Sequence, residues 1–100
     1  MKYYDKALAI DPNNIQALIN KGRSFSQLHQ FEEAIINYDK VLKIEPQNID
    51  ALLNKGLSLY KLGKNADAIA HFDKVLAIDP GNSLALNLKN SVERDPNGIQ

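Results

Sequence analysis

Apolar residues recur along this chain with the period of an amphipathic helix. Leu18, Gly22 and Phe25 fall at i, i+4 and i+7, and Leu52, Gly56 and Leu59 repeat that stripe further on. A second pattern, Ala34, Tyr38, Val41 and Leu42 at i, i+4, i+7 and i+8, returns as Ala68, Phe72, Val75 and Leu76. Breaks separate the stripes: Gly63 with the Lys64-Asn65 pair and, less sharply, His29-Gln30. Pro12, Pro46 and Pro80 stop the helices that carry the second pattern, because the ring does not fit a helix interior and turns the preceding residue away from helical dihedrals. Asn14, Asn48 and Asn82 then stand where a side-chain oxygen accepts from an unpaired first-turn N–H of the next helix. The spacing predicts six helices, over about 2–10, 15–28, 31–44, 49–62, 65–78 and 83–93.

The three prolines lie 34 residues apart, and Ile15–Asn48 matches Ile49–Asn82 at 17 of 34 positions without a gap. Such a period is the mark of a repeat architecture. The chain divides into the second helix of a partial unit (1–14), two full units (15–48 and 49–82), a C-terminal capping helix (83–95) and a tail (96–100). Asn90 stands where the full units carry Gly22 and Gly56, and Pro96 interrupts the following turn, which is why 83–95 reads as a cap. Helices of this length are marginal alone, so stability must come from contacts between neighbours. Within each unit Gly22 is expected to face Ala34, and Gly56 to face Ala68, so that the two helices cross closely.

Acidic and basic residues balance at 12 each, with no block of either sign, which speaks against a nucleic-acid partner. There is no cysteine, so disulfides, thiolate metal sites and thiol catalysis are excluded. No apolar run is long enough for a membrane span or a secretory signal, which makes a cytoplasmic protein the default expectation. His29 and His71 have no partner at metal-ligand spacing and read as surface or boundary residues. Asp5, Asp39 and Asp73, each followed by a lysine (Lys6, Lys40, Lys74), read as a register of solvated charges. No catalytic, cofactor-binding or metal motif is recognisable, so no enzyme and no cofactor is expected.

These residues resemble the tetratricopeptide repeat, a 34-residue helix–turn–helix family, through Leu18, Gly22, Phe25, Phe31, Ala34, Tyr38, Val41 and Pro46 in one unit and Leu52, Gly56, Leu59, Ala68, Phe72, Val75 and Pro80 in the next. The chain departs from the pattern where Leu18 and Leu52 replace an aromatic, Lys21 and Lys55 an aliphatic, and Asn65 an aromatic. The resemblance implies an all-α, right-handed superhelical solenoid of antiparallel helix pairs. It also implies a module that binds a peptide or partner helix in a concave groove lined by the first helix of each unit.

Carried over residue by residue, the groove positions are Gln16, Ile19, Asn20, Arg23, Ser26 and Gln27, then Asp50, Leu53, Asn54, Leu57, Tyr60 and Lys61, then Leu84, Asn87, Leu88 and Ser91. Ile19, Leu53, Leu57, Tyr60, Leu84 and Leu88 would form an aliphatic strip, with Asn20, Asn54 and Asn87 reading a ligand backbone. The family's clamp for chaperone C-terminal carboxylates is not expected. Asn54 fits it, but Ile19, Arg23, Leu84 and Leu88 stand where Lys, Asn, Lys and Arg are needed. The alternative expectation is a structural spacer or a homodimer formed through exposed end helices.

Overall fold

The computed structural model describes residues 2–94, all six expected helices among them. They are α1 (Lys2–Ile10), α2 (Ile15–Gln27), α3 (Phe31–Ile44), α4 (Ile49–Lys61), α5 (Asn65–Ile78) and α6 (Ser83–Arg94). Met1, Asp95 and the expected tail 96–100 lie outside the described residues. Each helix packs on its neighbours in sequence, and α4 also touches α2 and α6, so the first helices of successive units form one face.

The helix ends follow from local chemistry. Asn14, Asn48 and Asn82 each accept through Oδ1 from the backbone N–H three residues on, at 3.0, 2.9 and 2.8 Å. Glu45 and Asp79, forced out of the helical region by the prolines that follow, close α3 and α5 with non-helical backbone. The first helices end differently. His29 and Gly63 occupy the left-handed region at φ 60° and 81°. The next N–H, from Gln30 or Lys64, reaches back to the carbonyl of Phe25 or Leu59 at 2.9 and 2.8 Å, and the residue between closes the shorter loop. This turn halts α2 and α4 one residue before the boundary expected from periodicity.

Ala34, Tyr38 and Val41 of α3, and Ala68, Phe72 and Val75 of α5, are wholly buried and anchor two adjoining cores. The expected close crossing is present, but its partner is different. A Cβ placed on Gly22 would lie 2.5 Å from the Tyr38 ring, and one on Gly56 would lie 2.6 Å from the Phe72 ring. The glycines make room for an aromatic one turn beyond Ala34 and Ala68.

A second correction concerns charge. Asp5, Asp39 and Asp73 are not merely solvated: Lys21, Lys55 and Lys89 reach them at 2.6, 2.6 and 2.8 Å. The lysines that replace the family's aliphatic residue bury much of their stems and tie each second helix to the first helix of the following unit.

Candidate functional site

A cleft of about 580 Å³ opens where α2 and α4 lie side by side and α3 begins. Helical spacing places its walls. On α2, Arg23, Ser26 and Gln27 stand at i, i+3 and i+4; on α4, Asn54, Leu57, Ser58 and Lys61 stand at i, i+3, i+4 and i+7. The left-handed turn at His29 reverses the chain and brings His29 and Phe31 to the rim, with ring centroids 5.7 Å apart. Below them Tyr38 passes under Gly22, and its hydroxyl comes within 3.4 Å of the Ser26 Oγ.

The charge in this cleft is one-sided. Arg23 and Lys61 line it, no acidic residue does, and neither cation has a carboxylate within ion-pair distance among the described residues. Burial pushes the Tyr38 hydroxyl above its ordinary value, outweighing the Ser26 hydrogen bond and the Arg23 charge, both of which favour ionisation.

Of the groove residues expected from sequence, the cleft gathers Arg23, Ser26, Gln27, Asn54, Leu57 and Lys61. Asn54 donates to the Asp50 carbonyl at 2.7 Å, which restrains its amide. Gln16 and Asn20 bond to each other at 3.3 Å on the outer part of α2, and Asp50 is exposed at the start of α4.

Ile19 and Leu53 differ from the expectation: they are 4% and 8% exposed and belong to the packed cores. Direct contact of α4 with α2 and α6 closes over them, so the aliphatic strip is not continuous. Tyr60 and Leu88 are half-buried against the second core, while Leu84, Asn87 and Ser91 lie exposed on α6, away from the cleft.

Sequence reasoning missed four cleft residues: His29, Phe31, Tyr38 and Ser58. Three of them carried a signal. The cleft residues contributed by α2, its turn and α3 are Arg23, Ser26, Gln27, His29, Phe31 and Tyr38, and the next unit has Leu57, Tyr60, Lys61, Gly63, Asn65 and Phe72 in their places. Each differs between the two units.

A family model described as tetratricopeptide repeat matches residues 19–83. The chain belongs to the tetratricopeptide repeat family, a class of all-helical solenoids that serve as protein–protein interaction modules. Among solved structures, the chain is similar to the Arabidopsis OM64 TPR domain, with 23% identity, a TM-score of 0.88, and coverage of 94% of this chain and 78% of that one. It is also similar to the first TPR of Spaghetti (RPAP3) bound to the HSP90 peptide SRMEEVD, with 22% identity, a TM-score of 0.86, and coverage of 92% and 73%. The second TPR domain of human RPAP3, in complex with the HSP70 peptide SGPTIEEVD, matches at 23% identity with a TM-score of 0.83 over 90% and 75%. At these identities the likeness is one of fold. No curated protein matches the sequence. Among the described residues no helix is long and apolar enough to cross a membrane, and no cluster of His, Cys, Asp and Glu is suited to a metal ion.

Proposed function

We propose that this chain reads a short segment of a partner protein in the cleft between α2 and α4. The observation that carries the reading is the combination of an apolar wall, Leu57 with Phe31, and two cations without carboxylate partners, Arg23 and Lys61, on the first-helix face of the solenoid. Leu57 anchors an aliphatic side chain, Asn54 Oδ1 accepts from the segment's backbone, and the cations select an acidic neighbour. The spacing of these groups suits an extended segment or one turn of helix.

Two structural neighbours hold chaperone peptides ending in EEVD. Several features argue against the same ligand here. Ile19 is buried, and Leu84 and Leu88 on α6 supply no charge for the terminal carboxylates. Calorimetry with a segment obtained by peptide display tests the reading: Leu57→Arg should abolish binding while helicity is retained, and equal affinity of the variant would refute it.

A second reading, a spacer or self-associating unit, is favoured by the bare apolar surface of the end helices. Tyr3 and Ile10 of α1 are 79% and 88% exposed, and Leu84 and Leu86 of α6 about half exposed. Light scattering distinguishes it, since a chain that stays monomeric at millimolar concentration does not associate through these ends.

A further inference from the structure

The basic residues of α2, α4 and α6 include two distinct groups. Lys21, Lys55 and Lys89 are committed to structure, each held by an aspartate of the preceding second helix. Arg23 and Lys61 are not: they converge on one cleft that contains no acid. With them stands the half-buried Ser26 hydroxyl, while Tyr38 and Ser58, which also line the cleft, are buried. Tyr38 stands where the next unit has Phe72, and its hydroxyl lies 3.4 Å from the Ser26 Oγ. His29 holds a left-handed conformation at the rim, where the next unit has glycine, the residue that adopts it without strain. Every polar group named here can donate a hydrogen bond, and the fixed positive charge is two.

Two fixed cations and a hydroxyl donor in one partly enclosed space match a tetrahedral dianion better than a carboxylate. A carboxylate offers one charge and two oxygens, whereas a phosphorylated side chain carries a charge of roughly −1.5 to −2 at neutral pH and three acceptor oxygens. The apolar wall of Leu57 and Phe31 beside these donors provides for the residue next to the anion. We propose that the cleft binds a phosphorylated serine or threonine side chain of the partner segment, held between Arg23 and Lys61 with the hydroxyl of Ser26 as a further donor. The inference rests on the peptide-reader function and specifies its ligand: recognition is conditional on phosphorylation of the partner.

The test is a titration of the isotope-labelled chain, followed by amide and side-chain NMR shifts, with three capped peptides, Ac-Ala-Leu-Xaa-Leu-Ala-amide, in which Xaa is phosphoserine, glutamate or serine. The phosphoserine peptide should bind about tenfold more tightly than the serine peptide, the effect of one charge-assisted hydrogen bond or more, and more tightly than the glutamate peptide. Shifts should centre on Arg23, Ser26, His29 and Lys61. Arg23→Gln and Lys61→Gln should each remove most of that advantage, Lys40→Gln outside the cleft should leave it, and rising salt should reduce it.

Equal affinity for glutamate and phosphoserine would overturn the phosphate assignment, leaving a carboxylate reader. Equal affinity for all three, still dependent on Leu57, would overturn the anion site and retain the peptide reader. Shifts confined to lysines outside the cleft, or none with any peptide at millimolar concentration, would overturn both.

Discussion

Gly22 and Gly56 owe their place to aromatic rings rather than to backbone freedom. A glycine inside a helix costs about 1 kcal/mol relative to alanine, so an exposed Gly→Ala change would stabilise. Here the added Cβ of Gly56→Ala would lie 2.6 Å from the buried Phe72 ring, and overpacking reverses the sign. Gly56→Ala should lower stability by about 1–3 kcal/mol, read as a reduced urea midpoint, and Phe72→Leu in the same chain should relieve part of that loss. An unchanged midpoint would contradict the crossing.

His71 makes a second prediction at this scale. Burial lowers its pKa most; Lys55 and Lys74 lower it further, while the Asp67 carbonyl at 2.9 Å and the Asp39 charge oppose the shift. A folded-state value below the unfolded one means that the unfolded chain binds the proton more readily. The stability His71 contributes is therefore present above about pH 6.5 and lost as pH falls through its folded value. Urea titrations at pH 7.5 and 5 should show a decline that His71→Gln reduces.

At the scale of elements, the caps and the ion pairs carry different weights. Asn48 bonds to the Ala51 N–H at 2.9 Å, and Asn48→Ala should cost about 1 kcal/mol in thermal or urea unfolding. The Asp39–Lys55 pair is partly solvated, its side chains 46% and 20% exposed, and should contribute at most about 1 kcal/mol. Lys55→Gln should accordingly change stability little at high salt and more at low salt, measured by the same unfolding curves.

These elements were legible in the sequence because their chemistry is local: proline, the asparagine caps and the apolar period each act within one helix or turn. The pairing of Lys21, Lys55 and Lys89 with Asp5, Asp39 and Asp73 is not local. It joins residues 16 apart on different helices, so sequence alone read the aspartates as solvated charges.

At the scale of the whole molecule, the repeat builds the scaffold, and positions that differ between the two units supply most of the cleft. Identity between units placed Ala34 with Ala68 and Val41 with Val75 in the core, and these are buried. Arg23, Gln27, Asn54, Leu57 and Lys61 were legible as groove positions because first-helix spacing alone assigns them to one face. Ile19 and Leu53 have similar spacing but are covered by neighbouring first helices, a matter of how closely units stack, which no single helix records. Tyr38 belongs to a second helix and enters the cleft only because Gly22 lets its ring pass beneath α2.

The claim that this cleft reads a partner segment is tested most directly by peptide display on the purified chain, with phosphorylated and unphosphorylated pools, counter-screened against Leu57→Arg. An enriched sequence that requires both Leu57 and Arg23, with an anion beside an aliphatic residue, is the outcome the cleft predicts. A folded, monomeric chain that enriches nothing, or enriches sequences equally well on Leu57→Arg, would contradict it.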